Sequence, residues 1–261
     1  MKKIKLLLCL FMLTTLCGCS NSNKNESSKT LNAAMFWIST SLDPTNNYDG
    51  WVLSRIGVGE TLLKLNEKYE VEPCLAKSYE QIDDTTWKLT LKDSITFSNG
   101  KKVTGENVKA CLERAFEKNT RAIDYFDLNH VEAKGQDIYL YLNKSSGAIL
   151  NNLCEPLFTI YDASQSEEDI ANHPLCTGPF VVDDFVSEKT IDTSKNKKYY
   201  DGKAKLDHVH FSQVADSDAR VLALQSGEVD LANTIDYSSL KLFRNNKDYQ
   251  VLEVLGPRTN V

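Results

Sequence analysis

The chain has 261 residues, is 41% hydrophobic and 25% charged, and carries a formal net charge of −6. These are globular values that exclude collagen-like, low-complexity and wholly disordered polymers, and the length fits one large domain or two small ones at roughly 150 residues each. Thirty basic against 36 acidic residues leave no broad basic face for nucleic acid, and one apolar run near the N-terminus is too little for a polytopic membrane protein.

That run comes first in chain order. Lys2, Lys3 and Lys5 form a basic start, Leu6 to Leu16 is a charge-free and mostly apolar stretch, and Leu16-Cys17-Gly18-Cys19 follows. The apolar stretch is short for a bilayer span and reads as a secretory signal. Gly18 before Cys19 resembles a bacterial lipobox, which makes residues 1–18 a cleaved lipoprotein signal peptide and Cys19 the acylated first residue, held to the membrane by its buried acyl chains. Cleavage removes three lysines and moves the net charge from −6 to −9. The polar stretch over 19–30 is then a flexible tether for an acidic body. Outside the lipid site the body contains Cys74, Cys111, Cys154 and Cys176. No CxxC pair occurs among them, which excludes a zinc ribbon or thioredoxin-type centre. A Cys154–Cys176 pairing stays open, with reduced buried thiols the expected state.

Strands and helices alternate along the body. Leu31 to Ile38 predicts an opening strand, broken by Leu42-Asp43-Pro44, and Trp51 to Gly57 predicts a helical stretch running on through Glu60 to Lys64. Trp87 to Lys92 alternates apolar and polar residues as a half-buried strand does, and Ser98-Asn99-Gly100 predicts a turn. Thr104 is a candidate N-cap for a helix with Val108, Leu112, Ala115 and Phe116 on one face, and Asp137 to Leu142 predicts another strand. In the second half Thr177-Gly178-Pro179-Phe180 begins an extended stretch and Leu206 to Val214 is a strand. Asp216 caps a helix over Ala219 to Ser226 with Gly227 at its stop; Val229 to Ala232 and Tyr249 to Leu255 complete the predicted strands. No repeat of 20–50 residues is visible, and the class is mixed α/β.

Catalytic constellations are missing: no GxSxG, HExxH, GxxxxGK[ST] or GxGxxG occurs. His208 and His210 share one face of a strand in metal-compatible geometry, but no Cys, Asp or Glu partner completes a site, so two exposed or edge histidines are expected and no metal or cofactor. The pairs Asp83-Asp84, Asp183-Asp184 and Glu167-Glu168 fall in polar surroundings, as solvated loops do. The expectation is a non-enzyme; a surface lipoprotein hydrolase would need a nucleophile that the motifs do not supply.

Three groups of residues read together carry a resemblance. The first is Leu75-Ala76-Lys77-Ser78-Tyr79, Trp87 to Lys92, Phe97-Ser98-Asn99-Gly100 and Val103 to Val108. The second is Thr177-Gly178-Pro179-Phe180 with Asn196 and Tyr199-Tyr200-Asp201-Gly202. The third is Leu206-Asp207 followed by Arg220 to Leu231. In this order they resemble the extracellular solute-binding proteins of family 5, the peptide/nickel receptors of ABC transporters. The resemblance implies a periplasmic-binding-protein-like α/β fold of the class II, cluster C type: a first lobe over 31–258, a mixed sheet with flanking helices, and an inserted subdomain at about 50–165. Residues 259–261 would begin the crossing to a second lobe that this chain lacks.

It further implies a monomeric lipoprotein on the outer face of the cell membrane that captures a peptide or nickel-type small solute and delivers it to an ABC permease and ATPase; a truncated receptor remnant without transport role is the alternative. Ligand-binding candidates carried over are Trp37, Ser39, Trp51, Tyr125, Arg258 and Asn260. Two departures stand out. Tyr199-Tyr200 replaces the family's frequent Tyr-Trp, and Glu155 stands where nickel-chelate receptors carry a guanidinium, which favours a peptide or another small solute over an anionic metal chelate.

Overall fold

The computed structural model describes residues 28–253, so Cys19, Arg258 and Asn260 lie outside the described residues. The chain opens with β1 (Thr30–Met35) and α1 (Gly50–Arg55), followed by the short strands β2 (Leu63–Leu65) and β3 (Val71–Pro73). Next come β4 (Ala76–Gln81), β5 (Thr86–Leu91), α2 (Gly105–Lys118), α3 (Ala122–Tyr125), β6 (Leu128–Lys134) and β7 (Asp137–Leu142). After α4 (Ile149–Asn152) and α5 (Glu167–Asn172) the chain forms β8 (Phe180–Val186), β9 (Thr190–Lys195), β10 (His208–Gln213), α6 (Ser217–Ser226), β11 (Leu231–Ala232) and α7 (Lys241–Arg244).

Two larger sheets organise these elements. The first has the order β11-β1-β10-β9-β8, with β1 parallel to β10 and β11 and with β8, β9 and β10 antiparallel. The parallel β1–β10 pair joins the start of the described chain to a strand far along it, with Leu31 opposite Val209 and Ala33 opposite Phe211. The second sheet, β4-β5-β7-β6, is wholly antiparallel. In β5 Leu89 and Leu91 are fully buried while Lys88 and Thr90 are less so, the period-2 pattern read in the sequence. Helix α2 lies on β6 and β7 with Val108, Cys111, Leu112 and Ala115 buried along one stripe. Its first turn is stitched by Asn107 Oδ1, which accepts the Thr104 N–H at 3.0 Å. This is a mixed α/β fold of the expected class.

Two local expectations change. The helix starting near Trp51 does not reach Lys64: it stops at Arg55, and Leu63–Leu65 is a strand. Gly57 takes a left-handed φ of 71°, and the Val58 and Gly59 N–H groups both turn back to the Leu53 carbonyl. That closes the helix and re-aims the chain into a β2–β3 hairpin. Tyr249 to Glu253, the described part of the last predicted strand, pairs with no sheet, and Leu252 is 77% exposed. An alternating run becomes a strand only where an edge offers partners. By contrast Asp216 accepts the Ala219 N–H at 2.8 Å and α6 ends at Gly227, as the residues indicated.

Candidate ligand-binding cleft

A cleft of about 950 Å³ opens beside α1 and α3. Phe36 and Trp37 enter it from the end of β1, and Tyr48, Trp51 and Arg55 from the start and outer face of α1. Arg121 and Tyr125 come from α3 and its N-terminal boundary, Leu65 and Tyr69 from the β2–β3 hairpin, and Glu155 from the turn after α4. Most of the wall is thus aromatic, with two guanidinium groups and a carboxylate set into it, the composition of a small-molecule site.

The charged groups are held by the aromatics. Trp51 Nε1 donates to Glu155 Oε1 at 2.8 Å. Tyr125 also lies beside the Glu155 carboxylate; burial first and that negative charge second push its phenol up to about 12. Arg121 donates to the Tyr125 hydroxyl at 2.7 Å and to the Asn47 carbonyl at 2.9 Å, and its guanidinium stacks on the Tyr48 ring at 3.7 Å. Arg55 lies over the rings of Phe36 and Trp51, at 5.4 and 5.5 Å. Behind Tyr125 the buried Phe158 ring packs edge-on at 5.7 Å, itself against Phe126 and Phe116.

Three sequence-derived candidates, Trp37, Trp51 and Tyr125, line this one cleft. Ser39 sits elsewhere: it is 1% exposed, its hydroxyl donates to the Ser41 carbonyl and its own carbonyl accepts the Glu188 N–H at 3.2 Å. Arg55 and Arg121 are lining residues the sequence reading did not single out. A signal existed, since Trp51/Arg55 and Arg121/Tyr125 are both four residues apart and share a helical face. Tyr69 carried no such signal; it reaches the rim from a turn where its φ is 62°, a left-handed conformation unusual for an aromatic residue.

A polar layer fixes the loop before α1. Arg114 clamps Asp43 through two bonds at 2.8 and 2.6 Å and also donates to Thr45 and to the Tyr161 hydroxyl. Burial works to raise the Asp43 pKa, but its bonds to Arg114 and Thr45 outweigh it and hold the carboxyl below its ordinary value. Asp49 is different. It is 2% exposed, and burial, with the Asp43 charge adding to it against the opposing Asn46 bond, pushes its carboxyl up to about 6.

A second carboxylate cluster gathers the family-like motifs. Glu60 accepts from Thr177 at 2.8 Å, Tyr200 at 3.1 Å and Tyr199 at 3.2 Å, with the Cys74 thiol 3.8 Å away. The Thr-Gly-Pro-Phe and Tyr-Tyr segments thus meet in a structural knot apart from the residues lining the cleft. Among the described residues no group of three or more His, Cys, Asp or Glu side chains could hold a metal ion. His210 instead faces Asp192 at 2.7 Å, and His208 is exposed. The four described cysteines are free thiols, Cys154 and Cys176 included.

Residues 70–261 match the bacterial extracellular solute-binding proteins, family 5 Middle. The chain belongs to solute-binding protein family 5. Nickel-binding protein NikA of Staphylococcus aureus is 32% identical over 246 residues, covering 94% of this chain and 49% of that protein. Glutathione-binding protein GsiB of Escherichia coli O157:H7 is 28% identical over 201 residues, 73% of this chain and 39% of that protein. The solved structure of S. aureus NikA in complex with Ni(L-His)2 superposes with a TM-score of 0.79 at 32% identity, over 84% of this chain and 46% of that chain. The nickel ABC transporter structure from Bacillus halodurans gives 0.79 at 31% identity, with the same coverage. This family 5 chain therefore spans about half the length of the relatives it matches. Family 5 proteins are extracellular binding proteins of transport systems, and no described helix here is long and apolar enough to cross a membrane.

Proposed function

We propose that the chain acts as the solute-binding lobe of an ABC importer's receptor, capturing an amino-acid-derived small solute, a peptide or a nickel chelate, and presenting it to a membrane permease and its ATPase. The carrying observation is the cleft itself, where Trp37, Trp51 and Tyr125 meet two arginines and one carboxylate. Aromatic walls with few fixed polar groups suit non-covalent capture. S. aureus NikA with Ni(L-His)2 and the glutathione-binding GsiB mark the two ligand classes to try first. In this reading Arg258 and Asn260 add polar contacts to the same solute, and Cys19 carries the lipid that keeps the receptor at the outer face of the cell membrane.

Two of the three tryptophans, Trp37 and Trp51, stand in the cleft, so intrinsic fluorescence reports occupancy. Titration with Ni(L-His)2 and with glutathione is expected to give a saturable change with at least one of them, lost in Trp51→Ala. A protein with an intact thermal transition and no saturable response to either would overturn the solute-binding reading. Lipidation has its own test: incorporation of a labelled fatty acid, abolished in Cys19→Ala.

A further inference from the structure

We propose that Glu155 is a specificity-determining residue that makes the cleft select ligands presenting amine N–H groups and reject polycarboxylate ligands that have none; this deepens, and rests on, the reading of the cleft as the solute site. The Glu155 carboxylate has two neutral groups beside it. Its partners on the cleft wall are the Trp51 indole N–H, 2.8 Å from Oε1, and the adjacent Tyr125 hydroxyl. Both are neutral, so they orient the carboxylate without cancelling its charge. Two cations share this wall: Arg121 directs N–H groups at the Tyr125 hydroxyl and the Asn47 carbonyl, and Arg55 lies over the Phe36 and Trp51 rings.

A carboxylate offers about four lone-pair positions, so these two donors leave acceptor capacity facing the cleft. A ligand amine fills it well. An ammonium brings charge and N–H together, and an amine bound to a metal ion is a stronger donor than a free one because the metal withdraws electron density from nitrogen. The aromatic rings around the carboxylate favour a positively polarised group. A ligand carboxylate in the same place has no proton to give and meets a like charge.

Two chelates of one metal separate these cases. Ni(L-His)2 is neutral and presents coordinated primary amines, whereas nickel–EDTA is dianionic with tertiary amines lacking N–H. Calorimetric titration of the full chain is expected to show Ni(L-His)2 binding at least about tenfold more tightly than nickel–EDTA, the size of a hydrogen bond to a charged acceptor. Glu155→Gln keeps the shape, removes the charge, and should weaken Ni(L-His)2 by about tenfold while bringing the two chelates within a few-fold of each other. Glu155→Arg should turn the preference toward nickel–EDTA. Equal binding of both chelates by the unaltered protein, or an unchanged preference in folded Glu155→Gln, would overturn the assignment while leaving solute binding standing. Binding of neither chelate, nor of glutathione, by folded protein would remove the receptor reading and this inference with it.

Discussion

Glu60 and Glu155 are both partly buried carboxylates flanked by tyrosines, yet they do opposite work. Glu60 is closed: three hydroxyls from Thr177, Tyr199 and Tyr200 converge on it and tie distant segments together. Glu155 is open toward a cleft of about 950 Å³, oriented by one indole and one phenol. What surrounds a carboxylate therefore decides whether it is a fastener or a reader. A saturated acid serves stability, whereas an acid with acceptor capacity left beside an aromatic cavity serves recognition.

Substitutions can break this contrast or sharpen it. The largest effect is expected from Phe158→Ala, which empties a fully buried ring site beneath Tyr125 and should cost about 4 kcal/mol in denaturant unfolding. It should also loosen the cleft wall, since Tyr125 leans on that ring. If cleft binding survived unchanged, the wall would owe nothing to the core. Glu60→Gln should lower stability by about 2 kcal/mol, because the amide replaces a charged acceptor with a donor facing hydroxyl donors. A neutral result in a thermal melt would mean that the knot is ornamental.

Asp49 offers a third acid, buried with a single side-chain donor, the Asn46 amide at 2.7 Å. Its folded carboxyl titrates at about 6, against 3.8 ordinarily, so the fold disfavours its ionised form. Between about pH 4 and 6 the folded protein holds a proton that the unfolded chain has released; stability from this group falls as pH rises through that window and the full penalty stands above it. Asp49→Asn is expected to raise stability at pH 7.5 by about 1–2 kcal/mol and to change little near pH 4. A constant difference across that range would show that ionisation is not the cause. The smallest effect belongs to Glu155→Gln, within about 0.5 kcal/mol of the parent in the same melts, as suits a residue whose work is binding.

The legibility of these features in the sequence followed their range. Local devices were readable: Thr104 and Asn107 start α2, Asp216 and Gly227 bracket α6, and the alternation of Trp87 to Leu91 marks β5. The resemblance brought Trp37, Trp51 and Tyr125 to one cleft, although they come from three separate elements. Where a side chain's fate depends on a distant partner, the pattern was silent. Ser39 is turned inward to a local carbonyl, and Glu60 drew no attention because its donors lie 117 and 140 residues away. The run from Glu60 to Lys64 has helical composition, but the turn at Gly57 had already ended the helix, and pairing with Val71–Pro73 decided its conformation.

Position 50 carries a consequence of its own. Gly50 begins α1, and a Cβ placed there would stand 2.3 Å from the Pro156 carbonyl oxygen. Trp51 and Glu155, the next residues on either side of that contact, thus have their spacing gauged by bare backbone against backbone. Side chains around the cleft can be exchanged without altering this calliper, so the pocket can be relined while its jaw width stays constant. One added methyl group at position 50 would do the reverse: it would leave every solute-facing group unchanged in chemistry and reset the gap between them.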